Sequence, residues 1–140
     1  MAQPEVAGPF PEHGQFCWTE IASTDLKKAT SFYSNVFGWN VDPSTSGAGG
    51  FAYLEFSSSG GANPDGAIYE MNPDWFGGNP PPAHIAVYVS VDDVDASAEK
   101  AVSIGGTILR PPSDIPNVGR MCVIRDPTGA AISLFTPLKS

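Results

Sequence analysis

Two stretches of the chain are variants of one pattern. FCWTEIASTDLKKATSFYSNVFGWNV, residues 16–41, returns 68 positions later without a gap as HIAVYVSVDDVDASAEKAVSIGGTIL, residues 84–109. The offset pairs Asp25 with Asp93, Ile21 with Val89, Leu26 with Val94, Gly38 with Gly106 and Val41 with Leu109. Such a repeat marks one supersecondary unit used twice. Whatever backbone the first copy adopts must also suit the second, which restricts the fold more than any single motif does.

The first copy opens on alternating residues rich in aromatic and β-branched types, which predicts a strand over 16–22. Leu26, Ala29, Phe32, Tyr33, Val36 and Phe37 then fall at helical spacing. That spacing predicts a helix burying Phe32, Tyr33, Val36 and Phe37 on a sheet. Ser23 or Thr24 is placed to cap it, Asp25 suits its positive end and Gly38 suits its exit. A strand over 39–41, the flexible turn STSGAGG, a strand over 51–56, the turn SSSGGANPDG and a short strand over 67–71 complete a β-α-β-β-β unit.

Residues 72–83, NPDWFGGNPPPA, read as a linker in which Trp75 and Phe76 call for burial against a cavity mouth or another subunit. The second unit repeats the order: a strand over 84–91, a helix capped by Asp92 or Asp93, a strand over 107–109, the loop PPSDIPNVG, and a hairpin of 120–125 and 130–136 around DPTG. The expected organisation is one domain: an irregular arm over 1–14 with a solvated His13, a first unit over 15–71, the linker, and a second unit over 84–137. The fold class is α+β, two β-α-β-β-β units forming a curled mixed sheet cup with helices on the outer face.

Composition narrows what such a fold can meet. With 15 acidic against seven basic residues and a net charge of −8, the surface repels phosphate backbones, which excludes a nucleic-acid partner. No apolar segment approaches the roughly 20 residues of a membrane helix, and MAQPEVAGPF lacks a basic region followed by an apolar core. Cys17 and Cys122 each lie in an apolar run and are expected as buried free thiols in a reducing compartment. The resulting expectation is a soluble cytoplasmic protein without a membrane or nucleic-acid partner.

Strand parity assigns faces. Ile85, Val87, Val89 and Val91 are all apolar and belong under the helix, so His84, Ala86, Tyr88 and Ser90 project from the other face. The 68-residue offset sends Phe16, Trp18, Glu20 and Ala22 to the equivalent face of the first copy. On the last strand Ile132 and Leu134 match the helix side, leaving Ala131, Ser133 and Phe135 for the cup. That face is aromatic and polar, as a ligand wall would be.

STDLKKATSFYSNVFGW, SVDDVDASAEKAVSIGG and IRDPTGAAISLF resemble the vicinal oxygen chelate superfamily, also called the glyoxalase, bleomycin-resistance and dioxygenase superfamily. The resemblance runs from about residue 16 to residue 137 and carries the fold. It implies several chemistries, among them metal-dependent isomerases, ring-cleaving dioxygenases, epimerases and metal-free drug-sequestering proteins. It also implies a homodimer. In metal-using members His, Gln or Glu ligands sit on the first and last strands of each unit, facing the cup. The corresponding positions here are Trp18, Ala86, Ser133 and either Glu70 or, with the register moved by one, Tyr69. A divalent catalytic site needs about three protein ligands, so no metal and no other cofactor is expected.

Glu20 on the cup face suits a general base or an anchor for a ligand amine, and equally a structural carboxylate. His84 reads either as an acid or base or as a rim residue. Phe16, Trp18, Tyr53, Tyr88 and Phe135 suit stacking on a flat or cationic ligand, or simple filling of the cup; Tyr69 and Ser133 join the ligand-facing set. Arg120 holds an anionic group or pairs with Asp126. The leading expectation is a protein that binds a small organic molecule in an aromatic cup without metal. The alternatives are a glyoxalase-type lyase, an isomerase or a dioxygenase using Glu20, Glu70 and His84, and an interaction module with a filled cup.

Overall fold

The computed structural model describes residues 10–43, 51–58 and 63–138, and over these the chain is α+β with the repeat made explicit. Its elements are β1 (Phe16–Ser23), α1 (Leu26–Phe37), β2 (Asn40–Val41), β3 (Tyr53–Ser57), β4 (Gly66–Glu70), a one-turn 3-10 helix (Pro73–Phe76), β5 (His84–Ser90), α2 (Val94–Ser103), β6 (Thr107–Ile115), β7 (Gly119–Arg125) and β8 (Ala131–Pro137). They group into two compact units, one of residues 19–85 and one of residues 86–138 with 10–18.

In the first unit the strand order is β2-β3-β4-β1. β1 runs parallel to β4, with Glu20 beside Ala67 and Ala22 beside Tyr69, and β4 runs antiparallel to β3, with Tyr53 opposite Tyr69. The second unit has the same plan, β5-β8-β7-β6, again with one parallel pair, Tyr88 beside Ser133 and Ser90 beside Phe135. A strand that returns parallel needs a crossover. The helix of each copy begins immediately after the strand that makes the parallel pair.

Both helices start on the aspartate that the repeat shares. Asp25 is extended and its side chain accepts the Lys28 N–H at 3.0 Å; Asp93 does the same for Ala96 at 3.1 Å. Each satisfies one of the orphan donors of a first turn. Ser23, expected as a possible cap, is still in β1 and its hydroxyl donates to the Tyr69 carbonyl at 2.6 Å. Gly38 ends α1 in the left-handed conformation, φ 70°, which costs a residue without a Cβ little.

Apolar packing under each helix is separate for each unit. Ile21, Phe56 and Ile68 form the first core, against Leu26, Ala29, Tyr33, Trp39 and Val41. Trp39 lies flat on Phe56, centroids 4.0 Å apart and planes 7° apart. Val91, Val94, Ala98, Cys122 and Leu134 form the second, against Val89, Ile108 and Ile124. Both cysteines are free thiols, Cys122 buried and Cys17 partly so; burial pushes the Cys17 thiol up to about 11.

The structure departs from the sequence expectations in four places. The helix does not bury Phe32, Val36 or Phe37, which are 59%, 55% and 56% exposed; only Leu26, Ala29 and Tyr33 reach the core, because the sheet beneath α1 meets a stripe narrower than its apolar face. β3 and β4 each sit one or two residues from the expected bounds. The expected loop PPSDIPNVG is mostly strand, for β6 continues to Ile115 with register shifts between Ile108 and Arg110 and between Arg110 and Ser113. β6 lies at an end of its unit's strand order, where bulges and prolines are tolerated. His13 is not simply solvated: its Nδ1 accepts the Asp92 N–H at 2.9 Å. The turn STSGAGG lies outside the described residues, as do four residues of SSSGGANPDG.

Phe56→Ala removes the ring that Trp39 stacks on and opens a cavity in the first core. Urea denaturation should show a loss of about 3–5 kcal/mol with native-like far-UV circular dichroism below the transition.

Candidate functional site

On the face of the first unit away from α1, parity and register bring Glu20, Tyr53 and Tyr69 together. Ala67 is the register partner of both Glu20 on β1 and Glu55 on β3. Two carboxylates therefore flank one alanine across three strands. Glu20 is 5% exposed and Tyr53 1%, and the Tyr53 hydroxyl donates to Glu20 Oε2 at 2.5 Å. A buried carboxylate without a donor is costly; this phenol offsets part of that cost through a charge-assisted bond.

Rings close over the pair. Tyr53 and Tyr69 stack at 6.1 Å with planes 28° apart. Phe51 meets Tyr53 and Tyr69 edge-on at 6.0 and 5.9 Å. Trp75 reaches in from the 3-10 turn to Phe51 at 5.0 Å and Tyr69 at 6.1 Å, while remaining 46% exposed. The turn is set by Asn72, whose side chain accepts the Asp74 N–H, and is closed by Gly77 at φ 63°. Sequence reasoning missed Glu55, Phe51 and this use of Trp75. Period-two alternation from Tyr53 would have found Glu55 and Phe51, whereas the fold-back of Trp75 has no periodic signal.

Two expected partners of Glu20 lie elsewhere in this unit. Glu70 pairs in register with Ser23, on the helix side, and its Oε1 accepts the Leu26 N–H at 2.9 Å, serving the first turn of α1. Tyr69, not Glu70, thus shares the face with Glu20. His84 is exposed, with Nδ1 2.8 Å from the Pro82 carbonyl. It borders an open cleft of about 500 Å³ beside α1, together with Ile21, Lys28, Phe32, Tyr33 and Ile85.

In the second unit Trp18, Tyr88, Ser133 and Phe135 are buried, whereas Phe16 is exposed. Phe135 packs on Phe10 at 5.9 Å and fills the space over Gly119, where a Cβ would lie 2.7 Å from its ring. Pro11 and Gly14, just before β1, bond to β5: Ser90 Oγ donates to the Pro11 carbonyl and the Gly14 N–H to the Ser90 carbonyl, both at 2.8 Å. Arg120 makes the ion pair expected of it, but with different partners. It grips Asp95 of α2 through Nε at 2.7 Å and Nη2 at 3.0 Å, and Asp114 of β6 through Nη1 at 2.9 Å. Asp126 instead holds its own turn, accepting from Thr128 Oγ1 at 2.6 Å and Thr128 N at 2.7 Å, because an aspartate opening a tight turn reaches local donors first.

Residues 15–134 match the profile of the Glyoxalase/Bleomycin resistance protein/Dioxygenase superfamily. The chain belongs to this superfamily. It is 40% identical over 118 residues to the candidate glyoxylase CFP32 of Mycobacterium tuberculosis, covering 84% of this chain and 44% of that protein. It is 32% identical over 130 residues to the anthracycline biosynthesis protein DnrV of Streptomyces peucetius, covering 87% and 46%. The chain thus spans under half the length of these curated relatives. Among solved structures, a Streptomyces coelicolor methylmalonyl-CoA epimerase in complex with 2-nitronate-propionyl-CoA superposes with a TM-score of 0.57 at 21% identity, over 91% of this chain and 99% of that one. That likeness establishes the fold, which is glyoxalase-like.

Within the superfamily's pattern, the metal-ligand positions are occupied by Trp18, Tyr69, Ala86 and Ser133. No described set of three or more His, Cys, Asp or Glu is placed to hold an ion. Indole, methyl and hydroxyl groups do not make a divalent site, so the residues present do not fit the metal that other members use.

Tyr53→Phe leaves the ring in place and takes the donor from Glu20; the chain should lose about 1–3 kcal/mol of stability by denaturant titration. Arg120 bonding holds the Asp95 carboxyl below its ordinary 3.8. Because the folded value is the lower one, the stability this gives is complete above 3.8 and is lost as pH falls through the folded value. Arg120→Met should therefore flatten the fall in urea midpoint below pH 3.8 relative to wild type.

Proposed function

We propose that the chain binds a small organic molecule on the aromatic and carboxylate face of its first unit, without a divalent metal. The observation that carries this is the buried Glu20–Tyr53 pair roofed by Phe51, Tyr69 and the half-exposed Trp75. Aromatic rings surrounding one fixed polar group are the usual make-up of a ligand site. Trp75, on a turn ending in two positive-φ glycines, is the group a ligand would meet first. Tyr69 and Tyr53 offer faces for stacking, and Glu20 with Glu55 favours a ligand that brings a donor or a positive charge. Trp18, Tyr88, Ser133 and Phe135 are proposed as ligand-facing groups of the second unit's own face, apart from the site on the first. We take the protein to act in the cytoplasm, where its two free thiols stay reduced, and as a homodimer.

A second reading is supported by the same carboxylate. Glu20 is a buried acid with a phenolic partner, the setting in which a carboxyl moves protons for a lyase or isomerase. On that reading Glu20 is the base and Tyr53 orients it.

A thermal-shift screen of the intact chain against neutral, anionic and cationic metabolites and antibiotics tests the binding. A binder at 100 times its dissociation constant adds about 2.7 kcal/mol to stability. The midpoint should rise for at least one class, and Trp75→Ala should abolish the rise. A screen with no shift in any class, or a shift untouched by Trp75→Ala and Glu20→Gln, would overturn the proposal. Turnover of the bound compound that vanishes in Glu20→Gln would favour the lyase or isomerase reading.

A further inference from the structure

We propose that the outer face of α1 is where two copies of this chain pair, an inference that rests on the homodimer reading above and gives it a location. A helix lying on a sheet ordinarily turns its apolar stripe inward. α1 has no buried residue, and Phe32, Val36 and Phe37 stand 59%, 55% and 56% exposed, with Ile85 of the same unit 57% exposed beside them. Phe32 and Ile85 both border the open cleft of about 500 Å³. Two phenylalanines and two branched aliphatic residues in one neighbourhood make a patch of the kind soluble chains reserve for partners.

The repeat shows that the fold does not require this face. Counting 68 positions on, Lys100 of α2 stands where α1 has Phe32, and Gly105, beyond the end of α2, stands where α1 has Phe37; of the three exposed residues only Val36 keeps an apolar equivalent, Ile104 at the C-cap of α2. Yet α2 still anchors its unit through buried Val94 and Ala98. Tyr33 packs on the first core, whereas Phe32 and Phe37, which touch Tyr33 and Trp39 along one edge, leave most of their surface outside it.

The charges around the patch select the occupant. Lys27 and Lys28 are exposed on α1, while Asp25 and Glu70 lie at its first turn. Two of the seven basic residues of a chain with net charge −8 therefore border this patch, next to two acids. Under a twofold operation the same patch meets itself, and the lysines of one copy can approach the carboxylates of the other. Two copies of an acidic chain repel overall, and this meeting of lysines with carboxylates offsets part of that repulsion at this face.

Sedimentation velocity of the full chain from low to high micromolar concentration tests the proposal, with Phe32→Glu, Lys28→Glu and, at the C-cap of α2, Ile104→Glu. The wild type and Ile104→Glu should sediment as dimers. Phe32→Glu should sediment as a monomer with wild-type circular dichroism, and Lys28→Glu, which changes only a solvated charge, should raise the dimer dissociation constant roughly tenfold. A wild type that stays monomeric throughout would overturn the homodimer reading and this face together. A dimer that survives both Phe32→Glu and Lys28→Glu would overturn the face and leave the homodimer reading standing.

Discussion

A carboxylate in the middle of a sheet must be met by a donor, and the bond from Tyr53 to Glu20 is the point on which the first unit turns. It joins β1 to β3 across β4 on the face that strand register gives to Glu20, Tyr53 and Tyr69. Once Glu20 faces inward, alternation sends Ile21 under α1 and Ala22 beside Tyr69. The same parity leaves Glu70 on the helix side, at the N–H of Leu26. One polar contact thus separates the residues that can meet a ligand from those that hold the helix.

The repeat made the order of elements legible before any coordinates. A gap-free 68-residue offset, with the same aspartate opening each helix and a shared glycine just beyond or at its end, dictates two copies of one unit. Parity of the strands then placed Glu20, Trp18, Tyr88 and Ser133 on a common type of face, because side chains alternate whatever their neighbours are. Less of the site could be read. Whether Tyr69 or Glu70 faces inward depends on register, and register is a pairing property that one strand does not contain. Trp75 arrives from a 3-10 turn with no periodicity, and the partners of Arg120 lie 25 residues back on α2 and six back on β6, out of reach of local reasoning. Helical spacing also overstated burial: it identifies an apolar stripe, but how much is covered depends on the width of the sheet beneath, and on α1 that leaves Phe32 in the open.

Membership of the superfamily rests on residues other than those proposed for the site. The residues that carry the likeness, the FYSNVFGW stretch and the DPTG hairpin, are those that shape the helix exit and the final turn. The positions that the resemblance marks for metal ligands hold Trp18, Ala86, Ser133 and Tyr69 in this chain. The proposed site is a carboxylate with a phenol beside aromatic rings. A ligand held there, as proposed, would be selected by shape, stacking and charge.

Hydrogen exchange read by mass spectrometry, on the protein alone and with the compound that raises its thermal midpoint, tests the central claim most directly. Protection concentrated in residues 51–57 and 66–76, which hold Phe51, Tyr53, Glu55, Tyr69 and Trp75, is the predicted result. Protection confined to α1 and the cleft beside it, with those segments unchanged, would contradict the account.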